Sequence, residues 1–246
     1  MTALAVIGHR YLPRGWGDFL RQLAIWFGFL LAYQVARGLA DRNPAQAFAN
    51  GLGVIRIEQH ANALFEVTLQ RITVSSHFLT ILTSWTYWLS QFTVLGLALL
   101  WVYLRRHEHF ARFRNTVLVA NVIGLIGYVT LPTAPPRMFP GVGFVDILSS
   151  FGINHGSGLI ELASNQYAAM PSLHSADALI IGITLAVIVR RWYFKLLWLL
   201  WPMWVWFSVM ATGNHFWLDI AAGVLVAGIA AATVYRPWRL LRPRAA

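Results

Sequence analysis

Six stretches of mostly apolar residues, parted by connections that hold nearly all the charge, govern what this chain can fold into. They fall at about 19–39, 78–104, 116–131, 173–189, 196–211 and 216–235. A helix needs ~20 largely apolar residues to cross the hydrocarbon core of a bilayer, and only helices and closed barrels satisfy their own backbone there. At 58% hydrophobic and 11% charged residues over 246 positions, the chain has more apolar surface than a water-soluble fold of this length hides. The expectation is an all-α polytopic membrane protein, one domain over 1–246, with six transmembrane helices. There is no Cys, so disulfides, thiolate catalysis and zinc–thiolate sites are excluded.

The formal net charge of +10 does not point to nucleic acid, because the cations sit between the apolar stretches. Fourteen of the nineteen Lys and Arg residues fall on one side of a six-span arrangement, including Arg10, Arg14, Arg105, Arg106, Arg190, Arg191 and Arg236. The other five are Arg37, Arg42, Arg56, Arg71 and Arg137. Cytoplasmic loops carry the excess of Lys and Arg, so both termini, tails of about 1–18 and 236–246, are expected in the cytoplasm of a plasma-membrane protein. The connections carrying Arg137, Ser172 with His174, and His215 then share the extracytoplasmic side. Between the first two spans, Val54, Ile57, Ala61, Leu64, Thr68 and Ile72 recur at helical spacing, with Arg56, Glu58, His60, Glu66 and Arg71 facing elsewhere. This predicts an amphipathic helix at the outer interface, acting as a lid or spacer.

Two polar stretches stand at the mouths of late apolar helices: Met170-Pro171-Ser172-Leu173-His174 and Gly213-Asn214-His215-Phe216-Trp217-Leu218-Asp219. His215 and Asp219 are i and i+4, on one helical face. Asp219 could then fix the tautomer of His215 and leave its other nitrogen free to attack. An ionisable group inside a span costs ~2.5–3.5 kcal/mol on insertion scales, so such groups mark function by default. Pro171 suits a first helical turn, whose free N–H groups bind anions; Ser172 could add a hydroxyl there or simply cap its helix. Arg137, stiffened by Pro132, Pro135 and Pro136, offers a guanidinium that grips two phosphoryl oxygens. The kit fits phosphoryl transfer through a histidine: His215 attacks, Asp219 steadies the imidazolium, and His174 handles the leaving-group proton. Asp177, one turn beyond His174, either orients that ring or is satisfied by a neighbouring helix, while Asn214, Asn165 and His155 are possible accessory groups. A two-His, one-carboxylate metal site is a rival reading, disfavoured by Arg137; a non-enzymatic lipid transporter is another.

These residues resemble the type 2 phosphatidic acid phosphatase (PAP2) superfamily. Pro171, Ser172 and His174 match its Pro-Ser-x-His motif, and His215 with Asp219 matches its His-x-x-x-Asp. The resemblance implies a six-helix bundle, a nucleophilic His215 oriented by Asp219, His174 as general acid, and Arg137 and Ser172 as phosphate contacts. It implies no metal or other cofactor and a lipid phosphate as substrate. Thr130 and Val209 stand where the family usually has Lys and Arg. The segments Pro132–Arg137, Tyr167–His174 and Gly213–His215 look most like the inositol phosphorylceramide synthase branch, which transfers a phosphorylated head group to an alcohol. Either phosphate-ester hydrolysis or head-group transfer therefore follows, and neither the lipid nor the oligomeric state is specified.

Overall fold

A computed structural model describes residues 12–40, 43–150 and 166–235; the terminal tails, His155 and Asn165 lie outside them. All six apolar stretches are helical: α1 Gly15–Ala40, then, after α2 Pro44–His60 and α3 Glu66–Val74, α4 His77–Arg105, α5 His107–Thr130, α6 Leu173–Ile188, α7 Trp192–Ala211 and α8 Trp217–Tyr235. No strand forms among the described residues, and the single β-bridge joins Thr133 to Ala168. Four helices, α4, α5, α7 and α8, are long and apolar enough to cross a membrane. The apolar α6, with 16 residues, is shorter, and it is buried along most of its length by its neighbours. α4 carries one π-helical turn at Ser90–Val94.

The main apolar core joins α4, α5, α6 and α8 through residues such as Leu95, Val102, Phe113, Val117, Leu173, Ile181 and Val226. Lipid tails are as apolar as Leu, so helices in a bilayer associate by close packing and hydrogen bonds rather than by escape from water. Both devices are visible. A Cβ on Gly124 would strike the Leu173 side chain, one on Gly127 would lie 2.5 Å from Pro171, and one on Gly223 would strike the Ser172 carbonyl. α5 and α8 thus press their backbones against the start of α6. Polar cross-links add to this: Asn121 Nδ2 donates to Asp177 Oδ1 (2.9 Å), Ser175 Oγ to the Ile220 carbonyl (3.1 Å), and Trp204 Nε1 to Thr86 Oγ1 (2.9 Å).

The expected amphipathic helix is corrected in two respects. It is two helices, because α2 ends in a Schellman turn: Ala63 N–H reaches the Glu58 carbonyl (2.8 Å), Asn62 N–H reaches that of Gln59 (3.0 Å), and Asn62 takes φ +53°. Asn is the residue besides Gly that this position tolerates. Its inward face is also different. Ile57 and Ile72 are 59% and 53% exposed, whereas Glu58 and Glu66 are wholly buried. The free N–H groups at the start of α8 need acceptors, and that demand outweighs the apolar periodicity.

Candidate active site

Three connections meet over the starts of α6 and α8. Thr133 N–H donates to the Tyr167 carbonyl (2.8 Å) and Ala169 N–H to that of Thr133 (3.2 Å), tying the segment after α5 to the segment before α6. Arg137 N–H donates to the Gly213 carbonyl (2.8 Å), tying in the α7–α8 connection. Gln70 of α3 brackets Val145, donating to its carbonyl (2.8 Å) and accepting its N–H (2.9 Å). Gly213 turns the chain at φ +73°, and a Cβ there would lie 2.7 Å from Gln70 Nε2. The next two amides, of Asn214 and His215, both donate to the Val209 carbonyl (3.0 and 3.2 Å), closing the end of α7.

This knitting holds His215 almost fully buried, with one ring edge facing a cavity. Its Nδ1 lies 2.9 Å from the Ala169 carbonyl and 3.5 Å from Asp219 Oδ2. A carbonyl only accepts, so the proton sits on Nδ1 and the lone pair on Nε2. Nε2 faces His174 Nδ1 at 3.4 Å. Tyr87 stacks on the far face of His174, with centroids 4.6 Å apart and planes at 22°. Burial, followed by the nearby Arg137 charge, pulls the His215 pKa down to about 3, while the Ala169 contact opposes the shift. The ring is therefore neutral at physiological pH, as a nitrogen nucleophile must be.

Arg137 donates through Nη1 to Asn214 Oδ1 at 2.5 Å, and Asn214 Nδ2 donates to Thr212 Oγ1 at 2.8 Å. His174, His215, Arg137 and Asn214 line one small cavity, of about 50 Å³, with Tyr33, Tyr87, Tyr128, Gln91 and Gln166. Asp219 stands behind His215, where its Oδ2 accepts the Phe216 N–H (2.8 Å) as an N3 carboxylate does in a capping box. Its second role is thus to start α8.

Two expected contributors stand elsewhere. Ser172 is wholly buried and does not line this cavity; it caps α6, its Oγ accepting the Ser175 N–H (3.2 Å). The helix begins at Leu173, so Pro171 precedes the cap instead of filling the first turn. Asp177 does not orient His174, because its Oδ1 takes Asn121 of α5. Thr130 is exposed and bonds back to the Ile126 carbonyl (2.8 Å), and Val209, in the last turns of α7, is buried in an apolar cluster with Ala178, Val205 and Ile220; neither lines the cavity.

Reading the sequence missed the Ala169 carbonyl, Tyr87, Glu58 and Glu66. Glu66 Oε1 accepts the Trp217 N–H (2.7 Å) and Glu58 Oε1 accepts the Leu218 N–H (3.2 Å). The only signal for the glutamates was a pair of carboxylates in a segment otherwise rich in apolar residues. A backbone carbonyl leaves no signal.

Buried His215, half-buried His174 and the guanidinium of Arg137 thus meet in one cavity at the mouth of a helix bundle. The chain belongs to the PAP2 superfamily, whose family model matches residues 52–233. It is 27% identical over 151 residues to a phosphoinositol dihydroceramide synthase of Bacteroides thetaiotaomicron, covering 56% of this chain and 48% of that one. It is 25% identical over 122 residues to an inositol phosphorylceramide synthase of Candida albicans, covering 43% of this chain and 25% of that one. The chain thus spans about half the length of the first relative and a quarter of the second. The fold is similar to the crystal structure of Aquifex aeolicus LpxE, with a TM-score of 0.51 and 17% identity, covering 69% of this chain and 93% of that one.

Proposed function

We propose that this chain transfers phosphoryl groups from a lipid-linked phosphate ester through a phosphohistidine on His215, at the extracytoplasmic face of the plasma membrane. The observation that carries this reading is the bare Nε2 of His215, turned toward His174 in the cavity that Arg137 also lines. In the scheme, Nε2 attacks phosphorus and its lone pair forms the N–P bond as the bond to the leaving oxygen breaks. Arg137, held by Asn214, takes equatorial oxygens. His174 gives a proton to the leaving oxygen and then takes one from the incoming hydroxyl. Asp219 and the Ala169 carbonyl stabilise the positive ring between the two steps. The imidazoles stand 3.4 Å apart, so a phosphoryl group enters only when they part.

A second reading, transfer of a phosphorylated head group to an alcohol, has its own support. Arg137 is the one Lys or Arg among the described residues lining the cavity, which suits the single charge of a phosphodiester. Both curated relatives are named as synthases of inositol phosphosphingolipids. Six crossings with both termini in the cytoplasm complete the proposal.

The test is a panel of phospholipids given to the purified protein in detergent, with and without chelator and alcohol acceptors. The expected result is turnover that persists in chelator, traps phosphate on His215 and is lost in His215→Ala. Free phosphate as product supports hydrolysis, and a phosphorylated acceptor supports transfer. Wild-type turnover by His215→Ala sinks both, and lipid flux into liposomes surviving that change would favour a transporter.

A further inference from the structure

The first three amides of the α8 entrance each have a carboxyl of their own. Phe216 N–H meets Asp219 Oδ2, Trp217 N–H meets Glu66 Oε1, and Leu218 N–H meets Glu58 Oε1. All three carboxyls are 0% exposed. One would suffice to cap a helix. The two glutamates come from α2 and α3, more than 150 residues away in sequence; the second oxygen of each, Glu58 Oε2 and Glu66 Oε2, is buried and receives no hydrogen bond, and the two carboxyls act on each other electrostatically. Two carboxyls that act on each other in a dry space do not both ionise readily, so the pair keeps one proton. The titratable groups acting on the pair are each other and Asp219; no Lys, Arg or His among the described residues forms an ion pair with either.

We propose that Glu58 and Glu66 are positioning residues for the reaction at His215: sharing one proton, they clamp the first turn of α8 and keep the charge behind Asp219 low enough for Asp219 to stay ionised. This rests on His215 being the nucleophile. A third full negative charge in the same dry space would compete with the Asp219 carboxylate, and losing the clamp would free the turn that fixes His215 relative to His174. Burial, then the partner carboxyl, raises the pKa of Glu58 to about 9, and burial raises that of Glu66 as well. The shared proton is therefore retained through neutral pH and lost on the alkaline side.

The experiment uses the full chain in detergent micelles with Glu58→Gln, Glu66→Gln, Glu66→Ala and His215→Ala. Hydrogen exchange reads the Trp217 and Leu218 amides, and turnover of phosphatidic acid and phosphatidylinositol is followed against pH. Glu66→Ala should speed exchange at Trp217 at least tenfold and lower kcat about tenfold to a hundredfold with KM within twofold, since small misplacements of a reacting group cost rate. Glu66→Gln keeps an acceptor oxygen and should restore protection. Glu58→Gln removes a titrating group and should move the alkaline limb of kcat upward by about a pH unit. Unchanged exchange in Glu66→Ala overturns the clamp, whether or not either lipid is turned over. A kcat limb that stays put in Glu58→Gln overturns the charge argument. Wild-type turnover by His215→Ala would fail the reading of the site instead, leaving exchange to judge the clamp.

Discussion

At the scale of single residues, the site depends on how few degrees of freedom His215 retains. Its ring is fixed by a backbone carbonyl at 2.9 Å and backed by a carboxylate at 3.5 Å, so Asp219 is one of two groups holding the tautomer. Asp219→Asn should therefore reduce kcat without abolishing it, and should also weaken the α8 cap; turnover and melting temperature measured together would show both losses. Asn214→Ala releases the guanidinium of Arg137. The expected outcome is a KM raised about tenfold to a hundredfold with a smaller change in kcat, equivalent to ~1.5–3 kcal/mol for a hydrogen bond to a charged group. The pH response follows from burial. A histidine whose pKa is lowered to about 3 binds fewer protons folded than unfolded, so it subtracts stability as pH falls from about 6.5 toward 3. The acid limb of activity should accordingly lie well below 6, and a limb centred near 6.5 would mean that the ring is solvated.

At the scale of elements, the helices were legible and the way the connections knit was not. Apolar runs are long and locally encoded, so α1 and α4–α8 follow from counting. Gly124 and Gly127 were readable as close-contact positions because a missing side chain has only a few uses in a span. By contrast, Ile57 and Ile72 suggested an inward apolar face that the structure turns outward while Val54 stays buried, because the partner of Glu58 and Glu66 is a helix start far along the chain. Ser172 and Asp177 fared similarly. Ser172 had a motif-based role and Asp177 one read from its spacing to His174, each beside a plain structural alternative, and the local hydrogen-bond demand of Ser175 N–H and of Asn121 took the side chain. The packing itself is testable. Gly124→Leu places a side chain where Leu173 already lies. It should cost about 1–3 kcal/mol as overpacking does, read as a lower melting temperature in detergent, whereas Gly53→Leu, with open space around it, should change little.

At the scale of the whole molecule, the proposed six crossings put α2, α3 and the α5–α6 connection on one side and the α4–α5 connection on the other. The chain has no cysteine, so single replacements report sidedness cleanly. Gly141→Cys should react with an impermeant thiol reagent added outside intact cells, and Glu108→Cys only after permeabilisation; the reverse pattern overturns the orientation. The pairing of α2 and α3 with α8 also imposes an order on biogenesis. Glu58 and Glu66 leave the ribosome more than 150 residues before the amides they serve, and four further helices are made in the interval. The clamp is therefore completed only once α8 has been synthesised. Until then the two buried carboxyls lack the Trp217 and Leu218 amides as hydrogen-bond donors, and an unsatisfied buried carboxyl is costly.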